Sequence, residues 1–186
     1  MRKLRVLFSA EEIRGEVERL AEEIRRDYQD RNPLLIGVLK GSFVLMADLI
    51  RLLNFPLEVD FVRLSSYGAG TVTSGKVRVA GRLRASIEGR HVVVVEDIVD
   101  TGLTLKFFLN YLRRHQPASL KVCVLFDKAP RRRVPVPIDY RGFTIPDAFV
   151  VGYGLDWDEK FRYLPNLCIL EEESGSERVQ PPDRCR

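Results

Sequence analysis

The chain reads as an α/β protein built on an open sheet with parallel strands at its middle. Three observations lead there. The run Val92–Val95 is four consecutive valines entered from Gly89-Arg90, the pattern of a strand buried on both faces. Two apolar strands each lead through a short turn into a segment of helical period: Leu34–Leu39 into Phe43–Leu53, and the valine run into Leu105–Arg114. The polar residues able to do chemistry follow those strands, where open α/β sheets place their ligands.

Taken in order, Ser9-Ala10-Glu11-Glu12 is a capping box, with Ser9 as N-cap and Glu12 reaching back. Behind it Ile13, Val17, Leu20, Ile24 and Tyr28 form one helical stripe, and arginines and glutamates fill the solvated face. Asn32-Pro33 breaks this helix before the strand Leu34–Leu39 and the turn Lys40-Gly41-Ser42. Leu57–Leu64 alternates as a strand, Ser65–Lys76 has the composition of a loop or hairpin tip, and Lys76–Leu83 returns as a strand. After the valines, Glu96 and Asp97 are expected to emerge at the strand's carboxyl end, because adjacent carboxylates are costly inside a buried strand. Asp100-Thr101-Gly102-Leu103-Thr104 then offers backbone N–H groups and two hydroxyls at a helix start, a nest suited to a phosphate. Leu105, Phe108, Leu109 and Leu112 form the buried side of that helix, and His115 and His91 read as edge residues without catalytic roles. Ser119–Phe126 is a further strand leading into Lys128 and the run Arg131–Arg133, read as solvated or at a subunit contact. Ile138–Pro146 is expected as a strand–turn–strand excursion, and Leu167–Leu170 as the last strand. The tail from Glu171 to Arg186 has the composition of a disordered segment.

Composition narrows the class. With 186 residues, 45% hydrophobic and 30% charged, the chain suits one soluble domain, and its net charge of +4 suits an anionic ligand. Cys123, Cys168 and Cys185 are odd in number and widely spaced, which argues for reduced thiols in a cytoplasmic protein and against a disulfide scaffold or zinc site. The N-terminal apolar run is too short for a signal peptide, and no stretch approaches the ~20 apolar residues of a membrane span.

The string E-D-I-V-D-T-G-L-T, residues 96–104, resembles the phosphoribosyl-pyrophosphate (PRPP) signature of type I phosphoribosyltransferases. Together with L-K-G-S (39–42), S-S-Y (65–67), F-D-K (126–128) and D-A-F-V-V-G-Y-G-L-D (147–156), it resembles the hypoxanthine-guanine phosphoribosyltransferases from about Leu4 to Leu170. That resemblance implies a type I phosphoribosyltransferase fold: a mostly parallel twisted sheet flanked by helices, with a small hood. A single domain over residues 1–170 follows, its hood drawn from the N-terminal segment and about 146–170. It implies purine salvage, with PRPP and a 6-oxopurine giving a nucleoside 5′-monophosphate and pyrophosphate with Mg²⁺ as cofactor. In this family pattern Glu96 and Asp97 would hold the ribose hydroxyls, and Asp100, Thr101, Gly102, Leu103 and Thr104 the 5′-phosphate. Leu39, Lys40, Gly41 and Arg162 would meet pyrophosphate, with the Leu39–Lys40 peptide able to be cis. Ser66 and Tyr67 would begin a flexible loop that closes over the site. Lys128 would read the purine's exocyclic oxygen, Phe149 would stack on the base, and Val150, Leu155 and Asp156 would line the base site. Glu96, Asp97 and Asp156 would hold the metal, and Asp100 would be the general base. A homodimer or homotetramer is implied, with no membrane or nucleic-acid partner. The alternative is a PRPP-sensing, nucleic-acid-binding regulator of the same fold, which the arginine run would serve. Hypoxanthine, guanine and xanthine are not distinguished.

Overall fold

The structure, a computed structural model, describes residues 3–67, 76–80, 83 and 85–171. Its main sheet has six strands: β2 (Leu34–Leu39), β3 (Glu58–Tyr67), β4 (Lys76–Ala80), β5 (His91–Val99), β6 (Ser119–Asp127) and β7 (Tyr140–Thr144), in the order β4-β3-β2-β5-β6-β7. All neighbours are parallel except β3 and β4. A second, three-stranded antiparallel sheet joins β1 (Lys3–Phe8), β9 (Leu167–Glu171) and β8 (Val150–Val151) in the order β1-β9-β8. The chain thus brings its first strand against its last.

The valine run explains the layering. Val93 and Val95 face α1 (Ala10–Tyr28) and α2 (Ser42–Leu53), in a core with Ile13, Leu20, Leu45 and Leu49. Val92 and Val94 face α3 (Leu103–Arg113), in a core with Phe108, Leu109 and Leu112. All four valines are fully buried, each contributing roughly 1.5–3 kcal/mol of burial. The capping box forms as expected: Glu12 N–H donates to Ser9 Oγ (3.2 Å), and Ser9 N–H donates to the Glu12 carboxylate (2.7 Å).

Several expectations are corrected. β5 continues through Glu96 and Asp97 to Val99, so both carboxylates lie inside the strand and are buried. The ladder to β2 ends at Gly37–Val95, while the ladder to β6 runs on to Val99–Asp127, and this one-sided pairing carries the strand past the acids. Helix α3 starts two residues early, at Leu103, because Gly102 takes the left-handed conformation (φ 81°) that turns the chain into it. Residues 138–146 contain one strand, β7 (Tyr140–Thr144), parallel to β6, and not a strand–turn–strand excursion. Its Tyr140 hydroxyl is tied to Asp27 Oδ2 (2.6 Å) on α1. β3 extends to Tyr67 and pairs with β4, which ends at Ala80, so Ser66 and Tyr67 belong to a strand. The expected loop tip 68–75 and the tail from 172 lie outside the described residues. No helix among the described residues is long and apolar enough to cross a membrane.

Candidate active site

The carboxyl ends of β2, β5 and β6 converge on one rim. Lys128 N–H donates to Val99 O (2.9 Å), clamping the end of β6 to the end of β5. The turn after β5 is held from behind by the segment after β6: Thr101 O accepts from Arg133 N–H (3.0 Å) and Val134 N–H (3.3 Å). Gly102 permits this, since a Cβ there would meet Val134 O and the Arg132 side chain at 3.0–3.2 Å. Thr101 Oγ1 accepts from Leu103 N–H (3.4 Å), and Leu103 and Thr104 open α3, whose first-turn N–H groups have no partner within the helix. The turn therefore presents amides and hydroxyls outward on a fixed base.

Asp100 sits between this turn and Lys128. Its Oδ1 is buried and lies 3.0 Å from Arg131 Nε, at ion-pair distance but without hydrogen-bond alignment. Arg131 also reaches Asp147 (3.6 Å). Lys128 is buried, and its ammonium has no ion pair with any described residue. Burial holds its pKa below the ordinary lysine value, with Arg131 acting the same way and Asp100 and Asp147 opposing. A desolvated cation beside a carboxylate, open to the rim, is a group waiting for an oxygen acceptor. Phe149 is part-exposed, and its carbonyl is anchored by Leu170 N–H (2.9 Å), while Val150 and Leu155 are buried, in β8 and in the turn that follows it.

The loop after β2 packs between two other elements at a glycine. The Leu39–Lys40 peptide is cis. A Cβ on Gly41 would fall inside the Asp97 carboxylate, and a Cβ on Gly154 (φ 92°) would overlap Gly41 O. Asp97 and the Gly154 turn thus both press on the Gly41 backbone. On the far side of that turn, Asp156 pairs with Arg162 (2.8 Å) and accepts from Glu159 N–H (3.0 Å), while Arg162 donates to Gly154 O (2.7 Å). Glu159 bridges Lys40 (2.7 Å) and Arg162 (3.3 Å).

The expected metal set does not gather. Among the described residues no group of three or more His, Cys, Asp or Glu side chains is close enough to hold an ion, so Glu96, Asp97 and Asp156 form no cage. All three offer hard carboxylate oxygens, however, which fits an ion such as Mg²⁺ that takes one or two carboxylates and fills its octahedron from substrate phosphates and water.

Glu96 is unusual. Burial first, and the Asp97 carboxylate second, push its pKa well above the ordinary value of 4.5. The folded protein then keeps a proton that the unfolded chain loses above pH 4.5, so this residue lowers stability as pH rises from there. Glu96→Gln is expected to stabilise the ligand-free protein at pH 7 by about 1 kcal/mol, roughly 2–4 °C in Tm for a chain of this size. The gain should close as pH falls below 4.5, where Glu96 is protonated in both states. Thermal melts of both proteins at pH 7 and near pH 4 check this, and an equal gain at both would mean that the carboxyl's charge is not the cause.

Some residues at this rim escaped the sequence reading. The arginine run is not a free surface: Arg131 meets Asp100, Arg132 pairs with the buried Asp127, and Arg133 supplies the N–H behind Thr101. Asp127 is also reached by Arg141 (3.2 Å). A carboxylate closing a buried strand needs a counter-charge, so Asp127 was the signal for Arg132. Glu159 had no such signal. A cavity of about 630 Å³ lies between α1, α2 and residues 162–165, and Arg162 is part of its lining.

The chain matches the family described as phosphoribosyl transferase domain over residues 7–158. It is 46% identical over 167 residues to a hypoxanthine-guanine phosphoribosyltransferase of Bacillus subtilis, covering 90% of this chain and 93% of that protein. It belongs to the hypoxanthine-guanine phosphoribosyltransferase family. Its fold is the type I phosphoribosyltransferase fold: a crystal structure of a hypoxanthine phosphoribosyltransferase from Staphylococcus aureus superimposes with a TM-score of 0.88 at 39% identity, covering 93% of this chain and 94% of that one. The chain also spans about a quarter (27%) of the length of a bifunctional TilS/HprT protein of Listeria monocytogenes, at 44% identity over 173 residues.

Proposed function

We propose that this protein transfers the 5-phosphoribosyl group of PRPP to hypoxanthine, guanine or both, releasing pyrophosphate. The observation that carries this is the buried Lys128 ammonium, without an ion pair among the described residues, beside Asp100 on the rim of the 101–104 turn. A sensor of PRPP alone has no use for a desolvated cation at the base position.

In this reading the amides and hydroxyls of 101–104 hold the 5′-phosphate, and Glu96 and Asp97 fix the ribose hydroxyls from inside β5. Lys40, the Gly41 backbone and Arg162 face the pyrophosphate. Asp156 and the Glu96–Asp97 pair would hold Mg²⁺, whose positive charge would offset that of the leaving group. Lys128 donates to the purine's 6-oxygen, and Phe149 lies against the base face. As the C1′–O bond to pyrophosphate breaks, the ribosyl group becomes cation-like and purine N9 bonds to C1′. Asp100 accepts the proton from N7 of the imidazole ring. Preorganised charges around both ends lower the barrier without rearrangement. The β1-β9-β8 sheet with its Gly152–Arg162 turn serves as the hood over the rim.

The test is a spectrophotometric assay with PRPP and Mg²⁺, offering hypoxanthine, guanine, xanthine and adenine in parallel. Turnover of a 6-oxopurine and not adenine is expected. PRPP binding without turnover of any base would overturn the reading in favour of the nucleic-acid-binding regulator. We also propose a homodimer or homotetramer, checked by light scattering; a single-chain mass at working concentration would remove it.

A further inference from the structure

We propose that Glu159 is a built-in competitor for pyrophosphate: its carboxylate occupies the two cations that the pyrophosphate group must take, and it has to leave before the substrate can bind. This rests on Lys40 and Arg162 being the pyrophosphate cations. Glu159 lies 2.7 Å from Lys40 and 3.3 Å from Arg162, so one carboxylate spans two elements far apart in the chain. Arg162 is in turn held by Asp156. Both cations are thus engaged by carboxylates.

The turn that carries Glu159 shows why it can move. Trp157 and Lys160 exchange two backbone hydrogen bonds (3.1 and 3.0 Å) around Asp158-Glu159, a two-residue hairpin. Both central residues are left-handed, with φ 53° and 59°. That geometry favours Asn-Gly, and a glutamate in the second position resists it. Besides its two backbone hydrogen bonds, the turn is held by contacts outside itself: the Glu159 carboxylate on Lys40 and Arg162, and Glu159 N–H on Asp156 Oδ2. Both partners of the Lys40–Glu159 pair are substantially exposed, so the pair is screened and readily exchanged for a more highly charged anion. A pyrophosphate group that captures Lys40 and Arg162 removes the two carboxylate contacts that help to hold the turn. Binding and turn rearrangement are therefore one coupled event, and the coupling weakens anions too weakly charged to displace the carboxylate.

Glu159→Gln keeps the size of the side chain and removes its charge. Asp158→Asn with Glu159→Gly removes the carboxylate while giving the turn the residues it prefers, so it stays folded. Affinities for inorganic pyrophosphate with Mg²⁺, and for a nucleoside 5′-monophosphate lacking that group, are measured by calorimetry in the full chain. Both variants are expected to bind pyrophosphate about 3- to 10-fold more tightly, with KM for PRPP falling in step and nucleoside monophosphate affinity unchanged. Unchanged or weaker pyrophosphate binding in both, while the wild type binds it, overturns the competitor role alone. An equal change in both ligands would show a general loosening of the hood and also overturn it. Wild-type protein that binds no pyrophosphate, or Lys40→Met and Arg162→Met variants that bind it as well as wild type, would sink this proposal and the assignment of those cations together.

Discussion

Asp100→Asn is expected to lower kcat by about 10²- to 10³-fold while leaving PRPP affinity within roughly threefold of wild type. Asparagine keeps the size of the side chain and its oxygen toward Arg131, which lies 3.0 Å from Asp100 Oδ1. The turn behind it is fixed by Arg133 and Val134 N–H on Thr101 O, contacts that the substitution does not touch. What is lost is the group able to accept a proton. The Asp100 side chain stays part-exposed although its Oδ1 is buried against Arg131, so the carboxylate keeps a face toward solvent. Steady-state kinetics beside direct PRPP binding separate the two effects. Equal losses in kcat and PRPP affinity would make Asp100 a binding residue of the turn, and its charge toward Arg131 the property that matters.

What could be read from the sequence here, and what could not, divides by range. The β5 valines, the α1 stripe and the capping box depend on neighbours within a few residues, and their patterns are local. The turn at 101–104 was legible for the same reason, since its glycine, hydroxyls and helix start are contiguous. The fate of Glu96 and Asp97 was not. Whether a strand stops or continues past two acids depends on how long its neighbours are, and β6 outlasts β2. The arginine run looked like a solvated surface because the partner of Arg131 lies in a different loop and that of Arg132 at the end of a strand. Gly41 gave no hint that Asp97 and Gly154 both close on it. The residues of the site were recognisable as types; the pairs that tie Lys40 and Arg162 to Glu159 exist only once the two sheets are assembled.

Lys128→Met should have the second large effect, and with two readouts of opposite sign. On activity, kcat/KM for a 6-oxopurine is expected to fall by about 10²- to 10³-fold, because a buried charged donor to a carbonyl oxygen is lost. Adenine, which presents an amino group where the 6-oxopurines carry oxygen, gains relative to hypoxanthine, so discrimination narrows. On stability the direction reverses. Burial holds the Lys128 pKa below 10.5, so at neutral pH the folded state carries a desolvated charge that the unfolded chain solvates freely. A lysine depressed in this way costs stability at low and neutral pH, and the cost is relieved as pH rises through its folded pKa. The methionine variant should therefore melt higher than wild type at pH 7, with the difference shrinking toward pH 10.5. Wild-type purine affinity should also decline on the alkaline side earlier than an ordinary lysine would allow. A variant that loses activity and melts lower at pH 7 would make Lys128 a packing residue of the β5–β6 clamp, its ammonium incidental. Higher Tm with lost purine discrimination would locate the residue's purpose outside the fold, in the base it binds.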